Sequence, residues 1–78
     1  MQAKQVLVGY ISLVQEQRFR LITDDGRGFL FTLERNASVE IADLHKLQKS
    51  HERVLVQYTG EPNTISGLVQ EIQPLQGK

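Results

Sequence analysis

The chain has 78 residues, no cysteine, and nine basic residues balanced by nine acidic ones. That excludes a disulfide scaffold and a cysteine-based metal centre, and it leaves no whole-molecule field to gather polyanions, although a local basic patch stays compatible with a neutral sum. Hydrophobic residues at 40% and charged residues at 23% fit one small globular domain over residues 1–78, which hides only about 60 to 65% of the surface its unfolded form exposes and has modest stability for that reason.

The opening stretch, MQAKQVLVGY, lacks the basic flank, apolar core and cleavage site of an export signal. No apolar run approaches the roughly 20 residues that cross a bilayer, so a cytoplasmic protein without a membrane span is expected. From Gln5 to Val14 the sequence is rich in Val, Ile and Tyr, which predicts a strand, and Gly9 in its middle predicts a bulge or sharp bend. RFRLIT (Arg18 to Thr23) and FLFTLE (Phe29 to Glu34) predict two further strands joined by DDGRG.

The length of that connection fixes the register. A two-residue turn at Asp25-Gly26 pairs Leu21 with Leu30 and Arg20 with Phe31, and each face becomes a mixture. A three-residue loop, a type I turn with Gly26 left-handed in a bulge, pairs Leu21 with Phe29 and Phe19 with Phe31. One face is then aromatic and apolar, while the other carries Arg18, Arg20, Ile22, Leu30 and Thr32. Because a one-residue slip reverses every side chain, the cleaner segregation selects the three-residue loop and sends Phe19, Phe29 and Phe31 to the core.

Ser38 to His51 predicts a short helix. Ser38 is the expected N-cap, Glu40 and Asp43 suit the positive end of the dipole, and Lys46, Lys49 and His51 suit the negative end. Ile41, Leu44, Leu47 and Gln48 form a narrow stripe that must lie on the sheet or plug a barrel end. RVLVQYT (Arg53 to Thr59) and TISGLVQEI (Thr64 to Ile72) supply two more strands, the last interrupted by Gly67, with a turn at Gly60 to Asn63 between them.

Strand, strand, strand, helix, strand, strand, with glycine-interrupted first and last strands, resembles the OB-fold, a five-stranded partly open barrel. The resemblance is one of architecture and spans nearly the whole chain. An SH3-like barrel is the alternative, but its helical turn falls one strand later. The expected class is therefore mainly β, with one short helix between strands three and four.

Catalysis and cofactors are not expected. The chain has no cysteine and no G-x-S-x-G elbow, and His45 and His51 are six apart, off a shared helical face. Asp24-Asp25-Gly26 fails as a calcium loop, because the twelfth position falls on Arg35 or Asn36 and not on a glutamate. Gly26-Arg27-Gly28 leads into a strand, so no helix N-terminus receives an anion. What the OB resemblance implies is a groove on the outer face of strands two and three, bordered by the loops near Gln15 to Gln17 and Gly60 to Thr64. It also implies single-stranded nucleic acid as ligand, with Arg18 and Arg20 on phosphates, Tyr10 stacking on a base with Ser12 beside it, and Arg27, Lys46, Lys49 and Arg53 adding charge. The alternative is a protein partner, or self-association, through Ile22 and Leu30 rimmed by the same arginines.

Overall fold

A computed structural model describes residues 4–75. Five strands, β1 (Gln5–Gln15), β2 (Arg18–Thr23), β3 (Gly28–Leu33), β4 (Val54–Thr59) and β5 (Leu68–Pro74), close into a barrel in the order β1-β2-β3-β5-β4. One helix, α1 (Ile41–Ser50), lies between β3 and β4. All neighbours pair antiparallel except β3 and β5, which close the barrel through a short parallel contact of Thr32 with Leu68 and Leu33 with Val69.

The β2–β3 hairpin adopts the segregated register. Phe19 faces Phe31, Leu21 faces Phe29, Arg20 faces Leu30 and Arg18 faces Thr32. Its corner is the three-residue loop: Gly26 donates to the carbonyl of Thr23 (2.8 Å), Thr23 donates to that of Arg27 (2.9 Å), and Gly26 takes φ +86°, which a glycine adopts without cost. Phe19 and Phe31 are buried, and Phe29 is half-buried against the core. The rings of Phe19 and Phe31 lie 5.8 Å apart and those of Phe31 and Tyr58 4.8 Å apart, so one aromatic file crosses the barrel interior.

β1 is long because it serves two neighbours. Gln5 to Gly9 pair with β4 and Gly9 to Gln15 pair with β2, so Gly9 is where the strand changes partner. A Cβ there would stand 2.1 Å from the Ile22 carbonyl oxygen, and only glycine allows the approach. The strand passes Gly9 without losing register, so of the expected bulge or sharp bend the bulge does not fall there. The irregularity falls between Ile11 and Leu13, where Ser12 is the extra residue and reverses which side chains face out. The break expected at Gly67 is displaced in the same way. Gly67 precedes β5, and that strand is irregular opposite Gln57 and Tyr58, at Gln70.

The helix starts later than predicted. Its N-cap is Glu40, whose N–H donates to the Asp43 carboxylate at 2.9 Å, while Ser38 donates its own N–H to the Gln70 carbonyl (3.0 Å) and ties the entry segment to β5. Leu44 is fully buried, Leu47 packs on the core, and Gln48 donates to the Ser12 carbonyl at 3.1 Å, satisfying an acceptor freed by the bulge. Ile41, expected in the stripe, is 38% exposed. Burial of Leu44 holds the helix on the barrel with about 1.5 to 3 kcal/mol.

Glu16 joins β1 to β2 with φ 55°, a left-handed geometry that costs an L-residue roughly 1 to 2 kcal/mol. Glu16→Gly removes that strain but gives the unfolded chain about 0.5 to 1 kcal/mol of extra entropy. A net gain of about 0.5 to 1 kcal/mol in urea unfolding is expected, and a loss of stability would show that the Glu16 side chain supports the turn.

Candidate binding groove

The registers of β1, β2 and β3 arrange their outward side chains in three rows. Tyr10 lies beside Ile22 and then Gly28; Leu13 beside Arg20 and Leu30; Gln15 beside Arg18 and Thr32. Leu13 and Gln15 belong to this face only because the bulge at Ser12 shifts the alternation, and Ser12 itself turns inward with its hydroxyl buried and unbonded. Rows on one face repeat every two residues, roughly 7 Å along the strand.

The lower two rows form the floor of a groove of about 380 Å³. Its far wall is the β4–β5 loop, through Asn63, Thr64 and Ile65. That wall is pinned to β3 chiefly by Asn63. Asn63 donates its N–H to the Leu30 carbonyl (2.8 Å) and accepts from the Leu30 N–H on Oδ1 (2.7 Å), with its backbone at φ 68°, a left-handed conformation that asparagine tolerates better than most residues. Below it, Thr32 donates to the Gly67 carbonyl at 3.0 Å, and Thr64 closes the loop on itself by donating its hydroxyl to the Glu61 carbonyl at 2.7 Å.

Three aliphatic side chains remain open in this groove: Leu13 is 38% exposed, Leu30 49% and Ile65 87%. Arg18 and Arg20, both exposed, line the same groove. Among the described residues neither arginine forms an ion pair, and no carboxylate lines the groove. The other arginines singled out from the sequence are engaged elsewhere. Arg53 binds Asp24 at 2.6 Å, joining the start of β4 to the hairpin corner across β1. Arg27 binds Asp25 at 3.0 Å and lies over the Phe29 ring, 5.6 Å from its centroid. Lys46 and Lys49 are exposed on α1, outside the groove lining.

Asp25 is held below the usual carboxylate range, first by the Thr23 hydroxyl that donates to it and then by Arg27. A carboxyl whose pKa is depressed on folding stabilises the fold above its ordinary value of 3.8, and the contribution is lost as pH falls through the lowered value. Of the two aspartates of DDGRG, Asp25 thus holds the corner itself and Asp24 ties it to Arg53.

The structure therefore brings Arg18, Arg20, Leu30 and Thr32 together as predicted, with Gln15 and Asn63 to Thr64 on the expected borders. Tyr10 and Ile22 share the face but sit one row above, outside the lining, and the Tyr10 ring meets His51 edge-on at 5.8 Å. Leu13 and Ile65 went unpredicted. The bulge that exposes Leu13 is centred on a serine with no turn signature, and Ile65 reads as a strand residue until the loop is seen to continue to Gly67. Phe19 and Phe31 touch the groove floor from within the core, so no exposed ring lies in it. Among the described residues no helix is long and apolar enough to cross a membrane. No family model matches the chain, and neither curated proteins nor solved structures yield a similar one.

Proposed function

We propose that this chain is a non-catalytic binding module of the OB kind, which holds part of a partner protein in the groove between the β2–β3 face and the β4–β5 loop. The helix between β3 and β4 and the two bordering loops support the OB assignment. One observation carries the choice of partner: three exposed aliphatic side chains, Leu13, Leu30 and Ile65, line one groove with two arginines that have no ion-pair partners among the described residues. Interface cores favour apolar groups and arginine, whereas a single-stranded nucleic acid needs rings to stack on. The neutral net charge points the same way.

Nucleic acid is the second reading, and the arginine pair favours it. Arg18 and Arg20 repeat on one face, and Tyr10, 36% exposed, stands in the adjoining row. The readings separate by affinity capture from a lysate of the cells that make the protein. A partner protein is expected to stay bound after nuclease treatment and to be lost with Ile65→Asp, whose carboxylate would be desolvated in the contact. Capture that disappears with nuclease, joined to binding of an oligodeoxythymidine whose salt dependence flattens in Arg20→Ala, would transfer the function to nucleic acid.

A further inference from the structure

We infer that the segment held in this groove is extended and acidic-aliphatic, with carboxylates at alternate positions beside Leu, Ile or Val; the inference rests on the protein-partner reading. The backbone of the groove offers little to bind. Leu30 spends both its N–H and its carbonyl on Asn63, and Thr32 spends its N–H on Gly67, so strand addition to β3 is blocked along this wall. Recognition falls to side chains, and these are of two kinds.

The first kind is cationic. Arg18 and Arg20 point from one face, two residues apart, and an extended partner repeats its own side chains at the same interval, roughly 7 Å. Carboxylates at positions i and i+2 of such a segment meet both guanidiniums, each able to hold a carboxylate through two parallel N–H bonds. Among the described residues no carboxylate lines the groove to compete for them, and Asp24 and Asp25 are engaged by Arg53 and Arg27. A chain whose charges sum to zero thereby presents a local site of one sign. The second kind is aliphatic and unevenly placed. Arg20 is flanked by Leu13 and Leu30, whereas Arg18 is flanked by Gln15 and Thr32, and Ile65 lines the same groove. The carboxylate at Arg20 therefore has aliphatic neighbours, and the one at Arg18 has hydrogen-bonding ones.

Random peptides displayed on phage and selected against the immobilised full chain test this. The expected result is enrichment of sequences with Asp or Glu at alternate positions next to an aliphatic residue. The best of them, made synthetically, is expected to bind about tenfold or more weakly to Arg20→Gln and to Ile65→Asp, and to weaken as salt rises. Circular dichroism confirms that these surface variants fold. Enriched peptides without acids, or peptides indifferent to both Arg18→Gln and Arg20→Gln, overturn the acidic assignment; if they still depend on Ile65, the protein-partner reading stands. If no peptide is enriched while oligodeoxythymidine binds in the groove, that reading falls and takes the inference with it. If neither binds, the groove is not a recognition site and both are overturned.

Discussion

Gly9→Ala is expected to cost about 3 kcal/mol or more, lowering the unfolding midpoint by roughly 12 to 24 °C for a domain of this size. The reason lies in how closely the backbones of β1 and β2 approach at the residue where β1 changes partner. Gly9 pairs with Thr23 of β2 and with Val54 of β4, and its Cα passes so close to β2 that an added methyl would sit 2.1 Å from the Ile22 oxygen, 2.8 Å from its carbon and 3.0 Å from the Thr23 Cα. All three are backbone atoms, so no rotamer change relieves the clash, and β1 or β2 must move by about 1 Å within a close-packed barrel. A small domain has a total stability of roughly 4 to 12 kcal/mol, so a loss of this size is a large share of it. Gly28→Ala is the control. There the new methyl would meet the Arg20 Cδ at 3.1 Å and the Ile22 Cδ1 at 3.4 Å, both side-chain atoms that can swing aside, and a change within about 0.5 kcal/mol is expected. Thermal and urea unfolding measure both. Equal effects of the two substitutions would mean that β1 does not cross β2 as tightly as described.

Asn63→Ala is expected to cost about 1.5 to 2.5 kcal/mol and to loosen the groove wall. Two terms contribute. The amide side chain accepts the Leu30 N–H, a bond worth about 0.5 to 1.5 kcal/mol, and the backbone at φ 68° costs alanine roughly 1 kcal/mol or more. Asn63→Gly separates them, because glycine keeps the left-handed backbone and loses only the side-chain bond. About 1 kcal/mol is expected for glycine, with the backbone bond from Asn63 to the Leu30 carbonyl retained. Amide exchange reports the local effect: the Leu30 N–H is expected to exchange faster in both variants, while that of Leu33, which donates to Gln17 at 2.7 Å, changes only with global stability. Leu30 exchange that is unchanged in Asn63→Ala would remove the clamp, and with it the argument that the groove is preformed and closed to strand addition.

Much of the barrel is legible before any coordinates. The hairpin register follows from DDG together with the two strands it joins, because only a three-residue corner with a left-handed Gly26 puts Phe19 opposite Phe31 and leaves Arg18 and Arg20 facing out. Helix position follows from the polar interval between FLFTLE and RVLVQYT. Where expectation and structure part, a local rule meets a tertiary one. Ser38 is a good cap in isolation, but its N–H is recruited by Gln70, and the helix starts instead at the reciprocal pair of Glu40 and Asp43. Gly9 and Gly67 are the residues most apt to mark bulges, yet both are used for close backbone approach, and the bulges fall at Ser12 and Gln70.

The sequence by itself determined the fold class, the inward aromatic face and the outward arginine pair, because alternation along a strand and the geometry of a tight turn are short-range properties. Only the tertiary structure decided which residues share the groove with those arginines. Leu13 arrives through a bulge whose position depends on how β1 divides between two neighbours, and Ile65 through a loop that Asn63 fastens to a strand 33 positions away. Contacts of that range are set by barrel closure, which no local pattern of residues encodes.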